Sequence, residues 1–457
     1  MWNTSYVTPI HKKGDKNNVE NYRPISKISA IPKLFEALVY NKLKPIVSPL
    51  ISEHQHGFMS GKSTSTNLMS YTQFLIDCLE DGHQVDVILT DFSAAYDRLN
   101  IPLLCAKLHK IGMDDPLRSW FRSYLSDRTQ IVRYDHVSSE PFNATSGCPQ
   151  GGHLSGLLFN VYINDLILDI QNVSGWLFAD DFKMARVVRG SDDRQHLQTA
   201  LDGLVSWCGA NGMVLNVDKC QVITFHRKKS PLFYDYVIHN TSLNRINQVK
   251  DLGVIFDCDL KFNSHYNALV NKAFKTLGFL YRNSREFESA NTLKSLYCSL
   301  VRSSLEYCSV TWSPMYNVHI DALEKVQRVL LRMLAFKSND LDNNTHIEDI
   351  MAHFNMQTLE HRRDSAQILF IVKLVLDKIN CPAIMSKLKF KENPKNTRDV
   401  SVFDLYFYRT NIGINSPINK AMNLCNIICN APFKIDIRQE TVASLKTKLA
   451  RINTLHH

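Results

Sequence analysis

Apolar and polar positions fall into short runs and helical stripes. Tyr6 to Ile10 is strand-like and Pro32 to Leu43 is helix-like, set among turn residues and the basic residues Lys12, Lys13, Lys16, Arg23 and Lys27. From Val85 the pattern becomes β/α. Val85 to Leu89 reads as a buried strand, and Pro102 to Ile111 as a helix that Asn100 would cap and Gly112 would end. Leu117, Trp120, Phe121, Tyr124 and Leu125 recur at helical spacing. The turn-rich stretch Gly147 to Gly152 leads into another helical stripe, Leu157 to Leu166. Trp176 to Phe178 and Phe182 to Val188 predict a hairpin with acids at its tip. Beyond Lys250 the stripes are helical and interspersed with Lys294, Arg302, Lys325, Arg328 and Arg332. Thr358 to Leu376 predicts one more helix, and residues 390–402 are polar.

At 457 residues the chain should hold several domains, at roughly 100–200 residues each. With 44% apolar and 21% charged residues, neither a disordered tail nor a fibrous repeat fits. The formal charge of +9 favours a polyanionic partner without deciding function. Eleven cysteines without a CxxC pair support neither a zinc module nor a disulfide framework. No secretion signal or membrane span is expected. The chain opens on what reads as the middle of a domain, so a fragment of a longer product is expected.

Candidate chemistry lies in the acids. Asp91 follows the strand Val85 to Leu89, and Asp180 and Asp181 sit at the hairpin tip. Brought together by neighbouring strands, they would form a three-carboxylate cluster of hard oxygen ligands suited to Mg²⁺. Two such ions about 3.5–4 Å apart can clamp the attacking and leaving oxygens of a phosphoryl transfer. Read alone, Asp-Asp is more often a solvated turn than a metal site. Gly57 to Ser63 approaches a phosphate-binding loop, but three residues intervene where four are required, which excludes it.

In context, Phe178-Ala-Asp-Asp181 resembles the catalytic hairpin of reverse transcriptases, and Val85 to Asp97 resembles their first catalytic strand. Between them, Gly147-Cys-Pro-Gln-Gly-Gly-His-Leu-Ser-Gly-Leu-Leu-Phe-Asn-Val-Tyr-Ile-Asn-Asp-Leu166 is similar to the glycine-rich loop and helix of non-LTR (LINE-type, jockey-like) retrotransposon polymerases. Asn21-Tyr-Arg-Pro-Ile-Ser26 and His56 to Thr64 resemble the family's finger motifs. Leu215 to Lys219 and Asp251-Leu-Gly-Val254 resemble its later palm motifs. The resemblance covers about residues 1–340. The family usually carries Ser at the position of Gly152, commonly Pro at Gly156 and more usually Arg at Lys62.

The resemblance implies an α+β right-hand polymerase with a ferredoxin-like palm whose sheet is mainly antiparallel. Fingers would span 1–84, and the palm 85–255 with part of the fingers inserted at about 110–145. A connection and helical thumb would span 256–340, followed by a C-terminal helical region, 341–457, of unassigned role. It implies an RNA-directed DNA polymerase with two Mg²⁺ ions, Mn²⁺ being a substitute, held by Asp91, Asp180, Asp181 and the backbone carbonyl of Phe92. Lys12, Lys13 and Arg23 would meet the triphosphate. Tyr96 would lie under the sugar and exclude a 2′-hydroxyl, although a core aromatic is its other reading. Gln150 and Gly151 would approach the nucleotide closely. Lys219 would protonate the leaving pyrophosphate or be a solvated lysine. Leu252 and Gly253 would form the primer grip. The implied partners are an RNA template, a DNA primer or nicked target DNA, and deoxynucleoside triphosphates, met in the nucleus. The basic run His226 to Lys229 reads equally as a solvated turn. No upstream endonuclease is expected in the chain, and the oligomeric state is open. The alternative is a decayed element that binds nucleic acid without polymerising.

Overall fold

A computed structural model describes residues 4–338, 340–342, 344–392 and 400–452. Residues 393–399 of the polar stretch 390–402 lie outside the described residues. The fold is α+β, and the chain divides into two compact units: residues 1–63, 86–222 and 232–245, and residues 64–85, 223–231 and 246–457.

In the first unit, Thr4–His11 pairs antiparallel with Tyr22–Lys27 and parallel with Arg128–Tyr134. Helix Ala30–Val47 is longer than its apolar stripe suggests and carries Pro45 in its last turn. The central sheet has the strand order Asn244–Ile246, Gln221–Phe225, Val85–Thr90, Asp181–Val187, Ser174–Phe178, the last four forming the ferredoxin-like set. Helices occupy the two crossovers, so the chain follows the β-α-β-β-α-β path of a ferredoxin-like fold. The strand Val85–Thr90 is nearly continuous in apolar residues because both of its faces are covered. Asp86, 0% exposed within it, accepts a hydrogen bond from the Tyr236 hydroxyl at 2.8 Å and faces Arg245 at 3.8 Å. Helix Ile101–Lys110 begins where expected. The Asn100 side chain accepts from the Leu103 amide at 3.0 Å, and Gly112 at φ 88° ends it. Helix Ser155–Ile163 is buried almost all round, and Ile88, Phe92, Phe159, Leu201 and Trp207 share its core.

The second unit is largely helical. Helix Thr64–Glu80 is buried on most sides, and Met69 joins a core with Ile368, Ile371, Ala421, Cys425 and Ile428 from helices Leu359–Val375 and Pro417–Cys429. Its Gln73, Asp77 and Glu80, one face of the helix, bond into the 380–420 region. Gln73 Nε2 donates to the Tyr408 hydroxyl at 3.2 Å, Lys387 pairs with Asp77 at 2.9 Å, and Glu80 accepts from Thr410. Residues 341–457 are thus built into this unit rather than appended to it. Among the described residues no helix is long and apolar enough to cross a membrane.

Candidate active site

Asp91 leaves the strand Val85–Thr90 between two fixed neighbours. On one side the Thr90 hydroxyl donates to the Phe182 carbonyl at 2.9 Å. On the other, the Asn216 amide donates to the Asp91 carbonyl and the Ser93 amide to that of Val214, both at 2.8 Å. These two bonds flank the Phe92–Leu215 bridge, making it a non-hydrogen-bonded pair, so the Phe92 carbonyl points away from residues 214–216.

Asp180 sits in a two-residue turn, because Phe178 and Asp181 are the last partners of the antiparallel hairpin. Ala179 adopts φ 55°, a left-handed conformation sparsely populated by residues with a Cβ. Gln55, 1% exposed, surrounds that residue. Its Oε1 accepts from the amides of Ala179 at 2.9 Å and Gly57 at 2.8 Å, while its Nε2 donates to the Ala179 carbonyl at 3.2 Å. The backbones of residues 54–56 and 177 also exchange bonds at 2.9 and 3.0 Å. A Cβ on Gly57 would stand 2.3 Å from the Ala179 nitrogen, so only glycine lets the loop approach this closely. Asn160 on the buried helix donates to the Gly57 carbonyl at 2.8 Å, and the Lys62 ammonium donates to the carbonyls of Glu53 and Gln55 at 2.6 and 3.1 Å.

Burial lifts the Asp180 carboxyl above the ordinary carboxylate range. The facing charge of Asp91 adds to the lift, and Lys12 and Arg23 oppose it. These four side chains therefore share one electrostatic site. Lys219 completes it, its ammonium 3.1 Å from Asp91 Oδ2. Lys13 is exposed on the turn beside Lys12. Asp181, the first residue of its strand, has an exposed side chain. Among the described residues no group of three or more His, Cys, Asp or Glu side chains is gathered to hold an ion. The constellation is the pair Asp91 and Asp180. Two hard carboxylates that repel each other across a partly desolvated gap, beside an outward-turned backbone carbonyl, fit a divalent oxygen-binding cation.

The glycine-rich loop borders the same site. The Tyr96 ring stacks on Phe159 with centroids 4.5 Å apart, and its buried hydroxyl has no hydrogen-bond partner among the described residues. Burial, then the charges of Asp180 and Cys148, push that hydroxyl well above its ordinary range. Tyr96 is thus both a core aromatic and a neighbour of Asp180. Gln150 Nε2 donates to Asp97 at 3.0 Å, and the Ser26 amide donates to the Gln150 carbonyl at 2.8 Å. A Cβ on Gly151, at φ 128°, would meet the Ser26 carbonyl at 2.7 Å, so the loop lies directly on the strand bearing Arg23.

The unusual glycines have physical counterparts. Glu36, buried and 1% exposed, accepts from the His153 amide at 2.8 Å and the Tyr124 hydroxyl at 2.6 Å. A Cβ on Gly152 would stand 2.8 Å from it. At Gly156 a Cβ would strike the Phe58 ring at 2.6 Å.

Leu252 and Gly253 belong to the second unit, at φ 42° and 89° in the turn between Gln248–Asp251 and Val254–Asp257. The Tyr307 hydroxyl donates to the Leu252 carbonyl at 3.0 Å. A cleft of about 490 Å³ beside this turn is lined by Lys250, Lys272, Ser303 and Ser304.

Sequence reasoning did not single out Gln55, Glu36 or Asp86. Gln55 immediately precedes the motif His56 to Thr64, and that position is its one local signal.

The profile of the family described as "Reverse transcriptase (RNA-dependent DNA polymerase)" matches residues 10–280, more than half of the chain. The Drosophila melanogaster protein named "Probable RNA-directed DNA polymerase from transposon BS" is 26% identical, over 73% of this chain and 38% of its own length. The "RNA-directed DNA polymerase from mobile element jockey" of the same species is also 26% identical, with the same coverages. The chain thus spans 38% of the length of these curated relatives. A solved telomerase from Candida albicans, in complex with a fragment of telomeric RNA, aligns with a TM-score of 0.45 at 13% identity, covering 82% of this chain and 62% of its own. At that distance it adds nothing to the fold described above.

Proposed function

The chain belongs to the reverse transcriptase (RNA-dependent DNA polymerase) family, and from that premise we propose that it extends a DNA 3′-hydroxyl on an RNA template, copying a non-LTR retrotransposon at nuclear DNA. The observation that carries the reading is the pairing of Asp91 with Asp180 under the influence of Lys12 and Arg23. Relatives named as RNA-directed DNA polymerases support it.

Asp91, Asp180, Asp181 and the Phe92 carbonyl would hold divalent cations. Magnesium bound there would offset the charge developing on the transferred phosphoryl group. The protein's own contributions are orientation and charge. Lys12, Lys13 and Arg23 receive the triphosphate as cationic donors. Gln150, held by Asp97, and Gly151 let the nucleotide approach backbone closely. The Tyr96 ring, fixed on Phe159, occupies the space a 2′-hydroxyl would need. Lys219, beside Asp91 at the edge of the site, is the group to pass a proton to leaving pyrophosphate. In this reading the fingers are residues 1–84 with an insertion at about 110–145, the palm is 85–255 and the connection and thumb are 256–340, with residues 341–457 left without a role. The Leu252–Gly253 turn supports the primer end, and the basic helices hold duplex phosphates with little sequence preference.

Primer extension by the full chain on a primed RNA template, with Mg²⁺ and deoxynucleotides, tests the reading beside Asp180→Asn. The expected outcome is extension by the parent only, with both chains binding the duplex alike and both weakening as salt rises. Salt-sensitive binding without extension by the parent would replace this reading with a binding module that does not polymerise.

A further inference from the structure

We infer that Gln55 is the positioning residue of the cation site, setting the Asp180 carboxylate through the backbone of Ala179. The inference rests on the polymerase reading above and adds a residue to which no role in the chemistry has been given.

Gln55 is an uncharged polar side chain buried in the first unit, and all three of its described bonds end on backbone atoms of two loops. Two of them close on Ala179, the residue immediately before Asp180, and take both its amide and its carbonyl. A bidentate clamp of this kind fixes the orientation of a peptide unit as well as its position. The third bond takes the Gly57 amide, whose residue touches the Ala179 backbone so closely that no Cβ fits between them. The clamp therefore grips the turn and the loop packed against it together. Ala179 is held at φ 55°, where a residue with a Cβ stays only if its surroundings over-determine it. Without Gln55, the buried Ala179 and Gly57 amides lose their partner and the turn is free to relax to negative φ. That rotation would swing the next side chain, Asp180, away from Asp91. Gln55 is buried with both ends of its amide taken up by backbone, so its influence on the reaction is indirect.

The test uses the full chain bound to a primed RNA template, the parent beside Gln55→Met, which keeps the side-chain volume and removes all three bonds. Mn²⁺ binding without nucleotide is read from the loss of the free-ion paramagnetic resonance signal. Extension is read as kcat, KM for deoxynucleotide and the Mg²⁺ concentration at half-maximal rate. Gln55→Met is expected to weaken Mn²⁺ binding and raise the Mg²⁺ midpoint by about 10-fold, to lower kcat by about 10- to 100-fold, and to leave KM unchanged. Adding Ala179→Gly, which tolerates positive φ without a clamp, should recover part of the lost Mn²⁺ affinity. Parent-like Mn²⁺ binding by Gln55→Met, or a kcat loss with an unmoved Mg²⁺ midpoint, overturns the inference. Should Gln55→Met fail to fold, amide exchange in the parent decides, since Ala179 must exchange as slowly as the core strands. A parent that binds Mn²⁺ with a protected Ala179 amide yet never extends a primer would sink the polymerase reading and leave the positioning role standing.

Discussion

Burial and the facing charge of Asp91 lift the Asp180 carboxyl above the ordinary carboxylate range, and the sign of that shift divides stability from chemistry. An acid whose folded pKa is raised adds stability below its unfolded value of about 3.9 and loses it as pH rises through the folded value. At pH 7 without divalent cation, ionised Asp180 therefore destabilises the fold. Asp180→Asn should raise the melting temperature there, and the gain should vanish near pH 3. A melting temperature lowered at pH 7 would show that the carboxylate is stabilised by its surroundings instead. Cation binding needs the ionised form, so protons compete with Mg²⁺ and the Mg²⁺ concentration at half-maximal rate should rise as pH falls. At this scale the sequence displayed the acids, because Asp91 and Asp180 each sit at the end of an apolar strand. It did not display Gln55, whose bonds reach a residue 124 positions away and leave no local pattern.

At the scale of elements, the hairpin Ser174–Phe178 and Asp181–Val187 owes its shape to the loop 55–57 as much as to its own pairing. Gly57→Ala would drive a methyl group into the Ala179 backbone, and overpacking of this sort costs about 1–3 kcal/mol. The expected result is a lower denaturant midpoint and lost extension together; an unchanged midpoint would mean that the loop yields freely. The hairpin and helix Ile101–Lys110 were legible because their signals are local: alternation, an Asn cap and a terminating glycine. Helix Thr64–Glu80 was not legible. Its Thr66, Asn67, Thr72 and Gln73 are buried along with Leu68, Leu75 and Ile76, so polar positions do not mark a solvent face and no stripe emerges.

Over the whole molecule, the chain passes between its two units at 63/64, 85/86, 222/223, 231/232 and 245/246, so neither unit is one continuous stretch. Residues 341–457 read from sequence as a helical region without assigned chemistry, yet their described helices supply most of the core that Met69 of helix Thr64–Glu80 joins. A chain ended at residue 376 loses Pro417–Cys429 from that core. It should bind a hydrophobic dye and lose the parent's cooperative melt; a parent-like melt would show that the core closes without them. The same arrangement governs the order in which the protein is made. Helix Thr64–Glu80 leaves the ribosome first, and the helix Pro417–Cys429 that packs with it follows roughly 20–70 s later at about 5–20 residues per second. Throughout that interval Met69 lacks its final cover. Yield in a cell should accordingly depend on how quickly residues 81–429 are translated, and on what shelters the nascent chain in the meantime.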